Sequence, residues 1–323
     1  MKYYIDTEFH EYFRRPLFGQ RRHVIDLISI GIVAEDGREY YAISKEFDIK
    51  AAWNSWQPRT GQGDRNNLEP RLYWLRENVL RQVFEELTFK EYMALTNPEA
   101  IEFIEIIKSA KNPLGFFKTE FLYRSINPYW KFTYHNFRDI IRRNGKTNGQ
   151  IAAEIFAFVN QGQLGKKIHT IYGNDINLLN DALYQKSLDA HNIKYLNCIW
   201  VAQPSFYGYF SDYDWVVFCS LFGQMKDLPD GFPMYCRDIK HLLDHKAESM
   251  KMVDFQRLMF EKGNWVISGT IPAGINGQNE YQLEQKLDVL QQQLGYPGKS
   301  NEHNALADAR WNKELHGFIL SLP

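Results

Sequence analysis

Three short runs of apolar residues, rich in β-branched and aromatic side chains, predict strands near the beginning of the chain. They cover residues 3–5, 24–33 and 40–44, and polar residues separate them. Between the second and third runs stands Asp36-Gly37, a dipeptide typical of a tight hairpin turn. The pattern therefore predicts a small local sheet within the first part of the chain.

The pattern changes to helices and polar loops between about residues 51 and 204. Thr88, with Glu91 three residues later, forms a capping box and predicts that a helix begins there. Asn97 followed by Pro98 predicts a second helix start. We expect this middle region to be mainly helical.

Helices and a further strand are predicted in the remainder of the chain. The strand leads directly into an apolar helix, and a turn rich in glycine and proline precedes the closing helix. The predicted elements are a helix over 151–159, a strand over 205–210, a helix capped by Ser211 or Asp212, a helix over 282–294 and a closing helix over 304–320.

These elements together predict an α/β fold, with a mixed β-sheet and helices on both of its faces. Length alone allows one large domain or two smaller ones. We interpret the whole chain, 1–323, as a single domain. Its core is expected to comprise about residues 1–50 and 205–323, interrupted by a mainly helical insertion over about 51–204.

The bulk composition is that of a folded protein with little overall charge. Hydrophobic residues make up 44% of the chain and charged residues 24%, and the formal net charge is -1. Proteins that grip long nucleic acids through many phosphate contacts depend on a strong positive charge. The net charge argues against that class, but it is compatible with an enzyme that contacts only a short end.

Cysteine spacing and the N-terminal pattern predict a cytoplasmic protein. Cys198, Cys219 and Cys236 show no CxxC spacing, which favours reduced thiols over a disulfide scaffold. The chain begins without the basic and then apolar pattern of a secretory signal. No apolar run approaches the roughly 20 residues of a membrane span, so no membrane association is expected.

Acidic residues stand at the ends of predicted elements, where they could converge. Asp6 and Glu8 follow the first strand and, with one residue between them in extended backbone, project from the same face. Asp308 lies just over one turn inside the closing helix, and His303 lies on the loop before it. Cleavage of a phosphodiester by two hard cations needs carboxylate oxygens from several chain segments. The sequence therefore predicts a metal-dependent phosphodiesterase, although each residue alone could be a turn former, a cap or an idle histidine.

Two acidic residues compete for the metal-binding role in the middle segment. Asp212 is well placed to cap backbone amides at the start of its helix, whereas Asp214 lies in the first turn, where a side chain can face the sheet edge. We favour Asp214 as the ligand. The alternative is that both residues only stabilise the helix start.

Three runs of sequence closely resemble the DEDDh exonucleases, and among these the bacterial 3'-to-5' exoribonucleases related to ribonuclease T. The runs are residues 4–9 (YIDTEF), 25–31 (IDLISIG) and 301–310 (NEHNALADAR). Tyr213-Asp214, followed by an apolar helix, looks like the second motif of that family and supports Asp214 over Asp212. The resemblance covers roughly residues 1–50 and 205–320, with long insertions between.

The resemblance implies a ribonuclease H-like fold and a complete set of site residues. Two Mg²⁺ or Mn²⁺ ions would be held by four carboxylates, with a histidine as the general base. The implied residues are Asp6, Glu8, Asp214 and Asp308 for the metals, His303 for the base, and Thr7 and Phe9 for the terminal nucleotide. Phe9 would stack on the terminal base, unless it simply packs in the core.

The resemblance implies the 3' end of single-stranded RNA as the substrate, released as nucleoside 5'-monophosphates. A DNA-preferring exonuclease and a catalytically silent nucleotide- or RNA-binding module remain as alternatives. The oligomeric state stays open, with a homodimer as one option. Basic residues at 14–15 and 21–23 could contact phosphates or could form a solvated charged loop.

Overall fold

The computed structural model of the chain describes most of the residues in both predicted core segments. It describes residues 1–14, 20–58, 71–95, 130–171, 203–250, 279–293, 295–299 and 302–322. The predicted helix start at Asn97-Pro98 lies outside the described residues. So do most residues of the two insertions relative to the resembled family, which lie near 85–135 and 161–203.

A mixed sheet of five strands and a separate pair of two-residue strands account for the described β-structure. The strands are β1 (Lys2–Arg14), β2 (Arg22–Ala34), β3 (Glu39–Ile43), β4 (Gln57–Pro58), β5 (Arg71–Leu72), β6 (Ser205–Gly208) and β7 (Arg237–Asp238). The main sheet has the order β3-β2-β1-β6-β7, and β6 runs parallel to both of its neighbours. The prediction of an α/β fold with a mixed sheet is confirmed, and it is consistent with a ribonuclease H-like arrangement.

Helices connect and flank the strands. They are α1 (Ile49–Asn54), a short π-helix (Arg76–Leu80), α2 (Arg81–Leu95), α3 (Tyr134–Asn144), α4 (Asn148–Ile171), α5 (Asp212–Leu221), a 3₁₀ turn (Met225–Asp227), α6 (Ile239–Ser249), α7 (Asn279–Gln291) and α8 (Ala305–Ser321). The predicted hairpin turn is also present, since Gly37 has a φ of 92°, which favours glycine. Within the described part of the chain, each helix is too short or too polar to span a lipid bilayer.

The predicted capping box at Thr88 is wrong. Helix α2 already begins at Arg81 and continues through Thr88 to Leu95. The Thr88 hydroxyl donates to the carbonyl oxygen of Phe84 at 2.8 Å, one turn back along the same helix. A threonine inside a helix can satisfy its hydroxyl in this way, so the local sequence pattern alone does not mark a helix start.

The chain packs as two compact units that share strands β1 and β2. One comprises Met1–Thr7, Gly31–Tyr41 and Ala153–Pro323, and the other comprises Glu8–Ile30 and Ala42–Ala152. The single-domain interpretation, with its core and insertion boundaries, stays a prediction.

The first unit has apolar packing on two faces of β1. Tyr3 stacks on Phe206 with ring centroids 5.5 Å apart, and Phe206 in turn contacts Phe218 of α5 at 5.0 Å. The next residue, Tyr4, belongs to the cluster that buries α6 and α8, and its hydroxyl lies 2.8 Å from Nδ1 of His316. Because successive strand residues alternate in direction, β1 is covered on both sides here.

The second unit has an aromatic core. Phe84 of α2, Phe137 of α3 and Trp53 of α1 surround Phe132, with centroid separations of 5.3, 6.1 and 4.8 Å. These rings join α1, α2 and α3 into one packed group. A backbone bridge between Ser44 and Lys146 fastens the end of β3 to the loop after α3.

Candidate active site

Three carboxylates come together at β1. Asp6, Glu8 and Asp308 each offer one oxygen, and these atoms all lie within 4.8 Å of one another. All three residues are half-buried. Asp6 and Glu8 project from one face of β1 because they are two residues apart in a strand, and Asp308 comes from the first turn of α8.

The loop before α8 places Asp308 and His303 together. Asn304 caps the helix, and its side chain accepts from the backbone N–H of Ala307 at 3.1 Å. His303 has a φ of 70°, a left-handed conformation, and its backbone N–H donates to Oδ2 of Asp308 at 3.0 Å. The predicted proximity of His303 and Asp308 is therefore present in the fold, through the main chain of the histidine.

Gly31 permits the close approach of α8 to the sheet. A Cβ atom at this position would lie 2.3 Å from the carbonyl oxygen of Ala305 and 2.4 Å from Cα of Leu306. Only a glycine fits, since those neighbours are backbone atoms. Gly31 lies in the family-like run 25–31, but no local pattern predicts its contact with Ala305, which seats the helix that carries Asp308.

Three polar contacts further along α8 hold the helix to β1, β2 and β3. The side-chain amide of Asn312 donates to the carbonyl oxygen of Ile5 at 2.9 Å, immediately before Asp6. Nζ of Lys313 donates to the carbonyl oxygen of Ala34 at 2.8 Å. Arg310 pairs with Glu39 at 2.6 Å. Asn312 is 1% exposed and lies on the buried face of α8. A polar residue at an apolar-face position, one turn after Asp308, is the sequence signal that could have identified the Asn312 contact.

Asp214 lies beside the group through a contact with Thr7. One of its carboxylate oxygens, Oδ1, accepts from the Thr7 backbone N–H at 2.9 Å and from the Thr7 hydroxyl at 2.5 Å. Strand β6 runs beside β1 and ends at Gly208. Beyond that point, the carboxylate of Asp214 accepts the hydrogen bond from the Thr7 N–H, as a backbone carbonyl of a neighbouring strand would do. Asp214 is thereby fixed next to the residue that separates Asp6 from Glu8.

The two candidates in the middle segment differ in burial. Asp214 is 7% exposed, whereas Asp212 is exposed at the start of α5. The N-cap position belongs to Ser211, whose backbone N–H donates to Oδ2 of Asp238 at 3.0 Å. The same Asp238 caps α6 by accepting from the His241 N–H at 3.1 Å. These contacts fix the start of α5, but the metal-binding role of Asp214 stays a prediction.

Burial shapes the charge of these carboxylates. It raises the pKa of Asp214 to about 6, although the two hydrogen bonds from Thr7 act in the opposite direction. Burial also raises the pKa of Asp308, against the opposing effects of the Lys299 charge and of the His303 backbone hydrogen bond. Both groups therefore hold a proton more readily than an exposed aspartate.

The remaining predicted site residues, Thr7 and Phe9, lie on β1 among the carboxylates. Thr7 is 5% exposed and uses both its N–H and its hydroxyl for Asp214. Phe9 is half-buried. Their roles toward a nucleotide stay predictions.

The donor set fits a hard divalent cation. Three carboxylates whose oxygens lie within 4.8 Å of one another repel when all are ionised, and a cation among them would offset that cost. Carboxylate oxygens are the ligands that Mg²⁺ and Mn²⁺ prefer. Asp6, Glu8 and Asp308 can therefore attract a divalent cation to this part of β1.

Two proteins are similar to this chain over part of its sequence. They are 3'-5' exoribonucleases from Mycobacterium tuberculosis, one from strain CDC 1551 / Oshkosh and one from strain H37Rv, and each is 36% identical over 108 residues. The similarity covers 32% of this chain and 51% of each relative, so the chain spans about half the length of the curated relatives it matches. No protein-family model matches the chain.

Proposed function

We propose that this chain is a 3'-to-5' exoribonuclease of the DEDDh type, which releases nucleoside 5'-monophosphates from single-stranded RNA. The observation that carries the proposal is the group of Asp6, Glu8 and Asp308, whose oxygens lie within 4.8 Å of one another. The similarity to mycobacterial proteins named as 3'-5' exoribonucleases supports the same reaction and an RNA substrate.

Four carboxylates would hold the metal ions in this proposal. Asp6, Glu8 and Asp308 form the group, and Asp214 stands beside it on Thr7. Two Mg²⁺ or Mn²⁺ ions, when bound, would supply the positive charge that activates water and stabilises the leaving oxygen. With a pKa of about 6, Asp214 is mostly ionised at neutral pH and so can act as a ligand.

His303 is assigned as the general base. It takes a proton from the attacking water as the water oxygen bonds to the phosphorus of the terminal phosphodiester. The bond from phosphorus to the 3' oxygen then breaks, and that oxygen takes a proton from solvent. The terminal nucleotide leaves with its 5' phosphate. The hydrogen bond from the His303 N–H to Asp308 holds the loop that carries the imidazole.

Thr7 and Phe9 are assigned to the terminal nucleotide. The backbone at Thr7 would position its sugar and phosphate, and Phe9 would stack on its base. The buried Thr7 contact with Asp214 gives this stretch of backbone a fixed position. That rigidity favours a precise fit to one nucleotide.

The test is digestion of a 5'-labelled single-stranded RNA with Mg²⁺ or Mn²⁺, beside the Asp6→Asn variant and a matched DNA strand. We expect a metal-dependent ladder that shortens from the 3' end, and a loss of about a thousandfold or more in the variant. Asp212→Asn is the matched control, because it removes an exposed aspartate close to Asp214 and should keep full activity.

Each alternative has its own outcome. Faster digestion of the DNA strand would indicate a DNA exonuclease. Binding of a mononucleotide with metal, but no cleavage of either strand, would indicate a silent binding module. Normal digestion by a correctly folded Asp6→Asn variant would refute the site.

A further inference from the structure

The ends of β1 and β2 beyond the carboxylates form a basic, aromatic surface. We call residues 11–14 and 21–26 the arm. Strand β1 continues to Arg14, six residues past Glu8, and β2 begins at Arg22. The exposed side chains of the arm are Glu11, Phe13, Arg14, Arg21, Arg22 and His23. The proposed mechanism does not use any of them.

Side-chain contacts within the second unit give the arm a defined shape. The Tyr12 hydroxyl donates to Oδ2 of Asp26 at 3.1 Å, and the backbone N–H of Asp48 donates to the same oxygen at 3.0 Å. Across the two strands, Nε2 of His23 lies 2.5 Å from Oε1 of Glu11. These contacts tie the two strands to each other and to the loop before α1.

Phe13 is a large aromatic side chain on an exposed strand end. It is 57% exposed, and the guanidinium of Arg21 lies 4.8 Å from its ring centre. The His23 ring lies 5.3 Å away. An exposed ring beside a guanidinium is a surface on which a nucleobase can stack.

Within the described part of the chain, the arginines of the arm differ from six other arginines, which pair with a carboxylate. Among the residues that the structure describes, Arg14, Arg21 and Arg22 form no ion pair within 4.0 Å. Arginines that do pair with a carboxylate are Arg38, Arg76, Arg81, Arg138, Arg143 and Arg310. With three arginines against Glu11 and Asp26, the arm has a formal net charge of +1 (3 − 2) in a chain whose net charge is -1.

Phe13 lies on the same face of β1 as Phe9, the residue assigned to the terminal base, because the two are four residues apart in the strand. A strand rises about 3.4 Å per residue, so Phe13 stands roughly 14 Å beyond Phe9 along β1. Stacked nucleotides on one strand are about 3.4 Å apart, so the same span corresponds to roughly four nucleotides. An RNA strand whose terminal base stacks on Phe9 could thus place an upstream nucleotide at Phe13.

We infer that the arm is a binding surface for the single-stranded RNA upstream of the 3' end, with Phe13 stacking on a base and Arg14, Arg21 and Arg22 contacting phosphates. This inference rests on the proposed function. Arginine suits the role because its planar guanidinium pairs with phosphate oxygens and also stacks on rings. The arm thereby favours long strands over short ones, whereas the carboxylates act on the terminal linkage alone.

The test compares a dinucleotide with a 12-nucleotide RNA as substrates, since a dinucleotide cannot reach the arm. We expect Phe13→Ala to lower kcat/KM for the longer RNA about tenfold and to leave the dinucleotide rate unchanged. The variant with Arg14→Gln, Arg21→Gln and Arg22→Gln should show the same selectivity. It should also flatten the dependence of log Kd on log salt by about 2, because each phosphate contact contributes roughly 0.7.

A charge-matched control separates the arm from net charge. Lys50→Gln, Lys131→Gln and Lys226→Gln remove the same charge from exposed positions outside the arm and should change neither substrate. An equal loss in the control, or equal losses on the dinucleotide and the longer RNA, would overturn the inference. So would a change from dimer to monomer with RNA binding intact, since that result assigns the arm to contact with a second copy.

Binding measurements keep this test separate from the proposed function. Anisotropy of a labelled 12-nucleotide RNA, measured with Asp6→Asn as the background, reports on the arm without turnover. If the wild-type protein cleaves neither substrate but the arm variants still weaken binding, then the proposed function fails and the arm inference holds. If the arm variants bind as tightly as that background, the arm inference fails whatever the activity.

Discussion

The carboxylates around β1 occupy two regions with different surroundings. Asp6, Glu8 and Asp308 are half-buried and bring their oxygens within 4.8 Å of one another. Asp214 is 7% exposed and accepts two hydrogen bonds from Thr7, and its pKa is raised to about 6. The first region is a group of like charges close to solvent, and the second is a single enclosed charge.

This difference separates two ways of holding a negative charge in a protein. In the group, mutual repulsion creates a demand for a counter-charge, which a divalent cation can meet. At Asp214, burial penalises the ionised form and hydrogen bonds from Thr7 offset part of that penalty. We therefore expect the group to be sensitive to the placement of α8, and Asp214 to be sensitive to pH and to Thr7.

The largest expected effect on stability comes from Gly31→Ala. This change disturbs the region of Asp6, Glu8 and Asp308 and leaves the surroundings of Asp214 unchanged. The new Cβ would lie 2.3 Å from the carbonyl oxygen of Ala305, so α8 must shift away from β2. We expect a loss of about 3 kcal/mol in unfolding free energy. Activity should fall as well, because Asp308 moves with the helix. Chemical denaturation and kcat/KM measure the two effects.

Gly317→Ala provides the control in the same helix. A Cβ at Gly317 meets nothing within 4 Å, and alanine favours a helix by about 1 kcal/mol over glycine. This variant should therefore be slightly more stable and fully active. A Gly31→Ala protein as stable and active as Gly317→Ala would show that the close approach does not seat α8.

The next effect concerns Asp214→Asn and the pH dependence of stability without added metal. The folded pKa of about 6 lies above the ordinary value of 3.8, so the folded state binds the proton more tightly than the unfolded state. Asp214 therefore contributes stability at low pH that is lost as the pH rises through about 6. Asparagine has no such loss, so the variant should gain about 2 kcal/mol relative to wild type between about pH 4.5 and 7.5.

Denaturation of both proteins in a chelator at the two pH values measures this difference. Asp308 also has a raised pKa, but it is present in both proteins, so its contribution should largely cancel. The Asp212→Asn variant is the control and should track wild type at both pH values. A constant difference between Asp214→Asn and wild type would mean that burial does not shift this carboxyl.

The sequence was sufficient to predict the features that depend on local patterns. Alternation predicted that Asp6 and Glu8 share one face, and the Asp-Gly pair predicted the turn at Gly37. The closing helix was predicted over 304–320, and α8 runs over Ala305–Ser321 with Asn304 as its N-cap. In each case neighbours within a few residues determine the structure.

The convergence of Asp6, Glu8 and Asp308 was predicted, but the individual contacts that position distant segments were not. The hydrogen bonds between Thr7 and Asp214 join residues that are 207 positions apart. The role of Gly31 depends on the backbone of Ala305, which no local pattern reveals. At Thr88 the local pattern itself misled, because the capping-box residues lie inside a helix that begins at Arg81. Such features require the packing of the whole unit.

The smallest effect comes from Thr7→Val, which alters the link between the two regions. Valine keeps the β-branched shape and the backbone N–H bond to Asp214 at 2.9 Å, but it removes the hydroxyl bond at 2.5 Å. The hydroxyl lowers the pKa of Asp214, so its loss should raise that pKa further. At neutral pH we expect a loss of about 1 kcal/mol in stability, and the acid limb of the activity profile should move to higher pH. Thr7→Ser restores a hydroxyl and should return both properties toward wild type. If Thr7→Ser and Thr7→Val have the same stability and the same acid limb, then the hydroxyl does not stabilise the ionised form of Asp214. The backbone N–H of Thr7 and the surrounding packing would then be enough to stabilise it.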